Sequence, residues 1–502
     1  MDRILPEAAH APINAAIDFV YSYGPAAEKT VVLVPAFLTN YVESLAEATG
    51  FDSETINYTL GLFACYPLGI IMNMLPYGKI KHAFSFLLGA FLLQFTIGKQ
   101  WVHQMITSLI CYAMFVLLPP KLSKTIVPIF LMTYVTVGHL HRMYINYLGY
   151  DLDFTGPQMV ITIKLYAMAY NLYDGHLISR GKEDRAAKKC APWAIAKVPG
   201  IVEYLGYTFS FATILAGPAY EYKTYANACD GSLLYNSDGK PKGKIPSQIW
   251  PTLRAFLVSI ITMGLFVVGT GKFPLLDPSD PQNATPVVLT AEFLARPWIQ
   301  RYLYQWVALF FIRQKYYFAW KNAEGANNIW YAGFEGFDDQ GNVKGWEAAS
   351  NVRIVEFETA PNVKTLSAMW NMKTANWLSR YVYIRTGGSL TATYGLSAFW
   401  HGFYPGYYMF FLSVPILTFC ERVGRKKLTP RFATSGSKWS PWGIVTMLST
   451  SFVVEYMVAA FQLLSYDWAV ANWKSHLFFG HILCFVFYGA LSNLPSPKKK
   501  DV

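Results

Sequence analysis

Residues 386–420 read TGGSLTATYGLSAFWHGFYPGYYMFFLSVPILTFC, 35 consecutive positions without one Asp, Glu, Lys or Arg. A run of this kind is hidden from water in a core or in a bilayer, whose hydrocarbon layer of about 30 Å takes about 20 residues of helix. It is too long for one perpendicular span, which predicts a tilted helix or one that breaks near Pro405. The only side chain in it that titrates near neutrality is His401, close to the middle. An ionisable group at that depth is tolerated mainly where it faces a bundle interior or a wet cavity, which makes it a functional candidate. A core histidine bonded to a neighbouring helix is the competing reading. The surroundings favour function: Trp400, Tyr404 and Tyr407 supply aromatic walls, and Gly402 and Gly406 permit close approach. Such a site suits a neutral imidazole acting as a base.

The same character runs through the chain. Of 502 residues, 53% are hydrophobic, 17% aromatic and 15% charged, against about 25% charged in soluble domains. A water-soluble single-domain fold, a disordered chain and a collagen-like repeat are all excluded. Further apolar runs fall near 31–47, 58–75, 83–98, 101–119, 126–147, 157–173, 203–219, 252–271, 301–319, 442–464 and 474–494, with 389–419 inside the opening stretch. They predict an all-α, polytopic integral membrane bundle of about ten to twelve membrane-embedded helices. No Pro/Ser-rich linker divides them, so residues 1–502 read as a single membrane-embedded domain.

Charge gives the orientation. The net charge of +11 comes from Lys and Arg grouped in short loops at 179–197, 240–244 and 422–427 and in a basic tail, 495–502. Their placement between apolar runs points to a membrane surface and away from nucleic acid as partner. The positive-inside rule puts these loops and the C-terminus in the cytosol. The first 56 residues carry more acid than base, which favours the other side for the N-terminus and an odd number of crossings. No removable signal peptide is read at Met1–Glu7. Asn57-Tyr58-Thr59 and Asn283-Ala284-Thr285 match glycosylation triplets, a pattern common by chance. Lys499-Lys500-Asp501-Val502 is similar to a dilysine retrieval signal of endoplasmic-reticulum membrane proteins, with lipid anchoring by a solvated basic tail as the alternative. The six cysteines show no paired spacing for disulfides or zinc, and several lie in apolar runs.

Upstream of His401, the segment Trp370-Asn371-Met372-Lys373-Thr374-Ala375-Asn376-Trp377-Leu378 places Asn371, Thr374 and Leu378 on one helix face. The Gly387-Gly388 pair is a helix breaker between it and His401. A hairpin there sets Asn371 about 25 Å before the turn and His401 about 20 Å after it, at similar depth. His139 and His141, two apart on a helix, face different ways and make a poor metal pair, and His481 reads as a packing histidine.

Taken together, these segments resemble the membrane-bound O-acyltransferase family, most closely its lysophospholipid acyltransferase branch. Ser397-Ala398-Phe399-Trp400-His401-Gly402 with Pro405-Gly406-Tyr407 is similar to the family's histidine motif, and Trp370-Asn371 with Thr374, Trp377 and Leu378 to its asparagine motif. Glu203 to Tyr207, then Ala216-Gly217-Pro218 and Glu221-Tyr222, resembles the branch's Gly-Pro motif. Leu165 to Asn171 with Asp174-Gly175 resembles the remaining motif less cleanly, and 333–337 and 346–358 also look like the branch. The motif-bearing core is about 150–420.

The resemblance implies a catalytic base at His401 and an essential partner at Asn371, with acyl-CoA as donor, a lysophospholipid hydroxyl as acceptor, and no tightly bound cofactor or metal. Asn371 steadies the oxyanion, binds substrate or orients the imidazole; the sequence leaves these open. Trp370, Thr374, Trp400, Tyr407, Glu221 and Tyr222 are candidate substrate contacts. Arg380 and Arg385 are candidates for the CoA phosphates, with snorkelling to the surface as the alternative. The implied setting is the endoplasmic-reticulum membrane, in phospholipid remodelling. Two other readings remain: a different acceptor (diacylglycerol, sterol or protein), and a transporter with His401 in its path. The chain has no P-loop, HExxH or GxSxG motif.

Overall fold

A computed structural model describes residues 34–149, 152–277, 285–433 and 436–495. The readings at Met1–Glu7, Asn283 and Lys499–Lys500 lie outside the described residues. Among these residues the chain is helical, with three isolated β-bridges and no named strand.

Among the described residues, four helices are long and apolar enough to cross a bilayer: Ser53–Met74, Lys79–Leu117, Ile249–Lys272 and Pro441–Leu463. Tyr466–Ser475 and Phe479–Ser492, bent by 65° across a short break, make a fifth candidate span. Such helices leave large apolar side chains on their outer faces, such as Ile70, Ile71, Ile260, Ile261 and Val445, as a lipid-facing helix does. The all-α polytopic architecture therefore holds, with four or five spans by length and composition. The other expected segments form helices that are shorter or more polar, such as Ala36–Thr49, Pro120–Ile145, Thr155–Ser179 and Trp298–Ile329.

One expectation changes and another is met. The run 203–219 is not a span: its helix, Ile201–Thr208, has eight residues and the chain then turns repeatedly up to Gly217-Pro218. The reason is visible at Lys164, a fully buried lysine whose Nζ donates to the carbonyls of Tyr207 (3.0 Å) and Thr208 (3.4 Å) and to Thr213 Oγ1 (2.9 Å). It satisfies the carbonyls that a continuing helix would have used. The run 389–419 breaks into Leu390–His401 and Pro405–Lys427. Gly402, at φ 117° and ψ −164°, ends the first in a conformation that L side chains rarely adopt, and Pro405 starts the second at a position that needs no N–H donor.

Chain contacts divide the molecule into two compact units, 1–256 with 322–350 and 257–321 with 351–502. In the first, Pro120–Ile145 packs along Thr155–Ser179, and Lys79–Ile97 packs against Ile201–Thr208. In the second, Pro405–Lys427 lies against Pro441–Leu463 and Phe479–Ser492 over a core of Leu417, Tyr456, Met457 and Trp473. His481 is held there as a packing histidine, its ring nitrogens 3.0 Å from Ser413 Oγ and 2.9 Å from Tyr456 Oη. The second unit also contains Arg313, which donates to Glu358 through Nε (3.2 Å) and Nη2 (3.1 Å) and to Glu455. Tyr317 Oη donates to the same Glu358 at 2.6 Å.

Candidate active site

His401 is the last residue of Leu390–His401, a helix started by Ser389, whose Oγ accepts from the Ala392 N–H at 3.2 Å. Four aromatic rings surround its imidazole. Phe411 stacks on it at 5.3 Å between centroids and 29° between planes, and Phe461 meets it edge-on at 5.2 Å and 88°. Trp400 lies at 4.7 Å and Tyr407 at 5.7 Å. Rings on three helices thus fix the orientation of the imidazole.

The asparagine segment is built differently from the expected helix face. Val363–Met369 ends at Trp370, and the next helix, Met372–Leu378, starts only after Asn371. Asn371 itself has φ 44° and ψ 51°, the left-handed region that asparagine tolerates better than most residues. It caps the helix instead of sharing its face with Thr374 and Leu378. Its side chain does not bond to its own helix; its Oδ1 accepts from Asn351 Nδ2 at 3.0 Å.

The two motifs meet through tryptophans. Trp377, almost fully buried on the asparagine helix, has its ring 6.1 Å from that of Trp400, next to His401. The connection runs through a π-helical turn, Ser379–Tyr383, and then turns at Gly387-Gly388.

The remaining candidates are distributed as follows. Trp370 is half-buried, its ring packed against Tyr316, Tyr317, Trp320 and Phe357, which anchors the residue before Asn371. Thr374 is buried on the asparagine helix. Arg380 lies in the π-helical turn and Arg385 just beyond it, both partly buried. Glu221 and Tyr222 belong to the first unit. There Glu221 is buried and accepts from Asn171 Nδ2 at 2.8 Å, and Tyr222 packs edge-on against Tyr207 at 5.4 Å. Among the described residues no group of three His, Cys, Asp or Glu could hold a metal ion.

Sequence reading missed Asn351, Phe461 and the Arg313–Glu358–Glu455 group. Glu455 is the one acidic residue in Pro441–Leu463, a signal that was available, since a charge in an apolar helix demands a partner. Asn351 and Phe461 are ordinary residues in a loop and in an apolar helix, and only the fold gives them meaning.

Residues 140–454 match the membrane-bound O-acyltransferase family, MBOAT. Curated relatives align along most of the chain. The mouse protein named membrane-bound glycerophospholipid O-acyltransferase 1 is 31% identical over 88% of this chain and 90% of its own length. The human membrane-bound glycerophospholipid O-acyltransferase 2 is 32% identical over 84% and 79%. A Schizosaccharomyces pombe protein named lysophospholipid acyltransferase is 28% identical over 91% and 90%.

Proposed function

The chain belongs to the membrane-bound O-acyltransferase family, and from that premise we propose that it is a multi-pass membrane enzyme that moves a fatty acyl group from acyl-CoA to the free hydroxyl of a lysophospholipid. The names of its relatives support the acceptor class. The observation that carries the chemistry is the His401 imidazole, held among four rings at a helix end that is joined to the asparagine helix through Trp377 and Trp400.

In this reading the neutral imidazole takes the proton of the acceptor hydroxyl as its oxygen attacks the thioester carbonyl carbon. The helix C-terminus supports the imidazolium that forms, an effect worth about 0.3–1 kcal/mol and up to about 2 in partly buried sites. The Asn371 carboxamide donates to the developing oxyanion. Collapse of the tetrahedral intermediate breaks the C–S bond, and the imidazolium proton leaves with the CoA thiolate. Aromatic walls keep out water, which would otherwise compete with the acceptor. Trp400, Tyr407 and Thr374 line the acyl site, and Arg380 and Arg385 face the CoA phosphates. One membrane-embedded domain, with its motif core at 150–420, houses both substrates. The enzyme resides in the endoplasmic-reticulum membrane with a cytosolic C-terminus.

Purified protein in detergent is expected to release CoA thiol only when acyl-CoA and a lysophospholipid are both present, and a headgroup panel then ranks acceptors. His401→Ala should lower turnover by about 10²–10⁴-fold, the range for loss of a general base. Normal transfer by this variant would refute the base assignment.

A further inference from the structure

We infer that Asn351 is a positioning residue that fixes which end of the Asn371 carboxamide faces the substrate. The inference rests on Asn371 being the working amide of the proposed reaction. Asn351 is buried and makes three hydrogen bonds at the start of the asparagine helix. Its carbonyl accepts from the Met372 N–H at 2.9 Å, its Oδ1 accepts from the Lys373 N–H at 2.9 Å, and its Nδ2 donates to Asn371 Oδ1 at 3.0 Å.

The chemistry of these bonds fixes a polarity. A backbone N–H can only donate, so the Lys373 amide requires oxygen at the end of Asn351 that it meets. The other end of the Asn351 carboxamide is then NH₂, which can only donate, and it requires oxygen from Asn371. The Asn371 NH₂ is thereby turned away from Asn351. Asn371 offers a donor, which matches an oxyanion and does not match a need for an acceptor beside an imidazole N–H. The left-handed backbone of Asn371 holds the cap in place for this contact. Of the three roles left open by sequence, a donor end fits the first two, and oxyanion stabilisation is the one that is read in kcat at unchanged KM.

The test is Asn351→Asp, which preserves shape and keeps an oxygen for the Lys373 N–H but makes the other end an acceptor. The Asn371 amide must then flip to give its NH₂ to the carboxylate, and it presents oxygen to the substrate. At neutral pH, kcat should fall by about 10²-fold, the scale for loss of one oxyanion donor, with KM for both substrates nearly unchanged. Protonation of the new carboxyl restores a donor at that end. The activity of Asn351→Asp relative to the parent enzyme should therefore rise as pH falls while the folded fraction, followed by the thermal midpoint at each pH, stays constant; a purely structural effect of the buried carboxylate would move the two together.

Asn371→Ala is assayed in parallel. If it retains full activity, the reading of Asn371 itself fails. If it is inactive while Asn351→Asp matches the parent enzyme across pH, the site stands and the positioning role is overturned. Should Asn351→Asp fail to fold, as judged by thermal unfolding, Asn351→Ala replaces it. Reduced kcat at unchanged KM in that folded variant supports the proposal, and parental kcat overturns it. Failure of both variants to fold assigns Asn351 to the fold alone and also overturns it.

Discussion

Gly406→Ala is the sharpest probe of how the histidine site is assembled. Gly406 is buried in the first turn of Pro405–Lys427, where its N–H donates to the Leu464 carbonyl at 2.7 Å. A Cβ placed on it would lie 2.1 Å from the Ala460 carbonyl oxygen and 2.9 Å from both Leu464 Cα and Leu464 O. Ordinary contact begins near 3.4 Å, so the backbones of Pro405–Lys427 and Pro441–Leu463 must separate locally by about 1.3 Å. Nothing flexible is available to move instead, because the opposing atoms are main chain. Those two helices carry Phe411 and Phe461, the stacked and edge-on walls of the His401 ring. Overpacking of this kind costs about 1–3 kcal/mol, and a displacement of about 1 Å at a reacting group costs about 10²-fold in rate. The expected result is a folded protein with a lowered thermal midpoint and a turnover down by about that factor in the CoA-release assay. Gly395→Ala, on the histidine helix with nothing within 4 Å of its added carbon, is the control and should keep full activity. Parental turnover in Gly406→Ala, or equal damage from Gly395→Ala, would refute the close-approach argument.

Two further substitutions test the buried charges. Lys164→Met leaves the Tyr207 and Thr208 carbonyls without their ammonium donor. The Tyr207 carbonyl keeps the Ser210 N–H at 3.2 Å, so the loss falls chiefly on Thr208, at about 1–3 kcal/mol for a buried group left unsatisfied; the variant should unfold at a lower temperature, and an unchanged midpoint would contradict the capping role. Arg313→Met strands Glu455 and Glu358, so a loss of about 3–5 kcal/mol is expected. Adding Glu455→Gln should recover much of it, whereas a double variant no better than the single would show that an uncompensated charge is not the cause.

Much of the fold was legible because a bilayer constrains sequence so strongly. Ser53–Met74 and Ile249–Lys272 are apolar on nearly every face, and the break after His401 is spelled by Gly402 and Pro405. The errors fell where long-range partners override local pattern. Residues 203–219 look like a span, yet the carbonyls at 207 and 208 are claimed by a lysine more than 40 positions earlier. His401 and Asn371 could be picked out as candidates from spelling. The clamp on Asn371 could not, since Asn351 is 20 residues away in a loop and its importance depends on which atom faces which.

The two candidate catalytic residues share a placement that helical periodicity does not predict: each sits at a helix terminus. His401 ends one helix and Asn371 precedes another. In hydrocarbon, interrupted helix is tolerated only where other groups satisfy the freed backbone, as the Asn351 side chain and carbonyl do for the Lys373 and Met372 N–H groups. That requirement places helix breaks inside protein and away from lipid. In the proposed reaction, the carbonyl end of the helix at His401 would also support a gained proton. In the middle of an unbroken span, the same imidazole would lie against helix backbone whose hydrogen bonds are already made and would receive no such field. In the proposed reaction the interruption is thus a chemical requirement as well as a topological one, and the Gly402–Pro405 segment should be less tolerant of helix-forming substitutions than the apolar residues on either side of it.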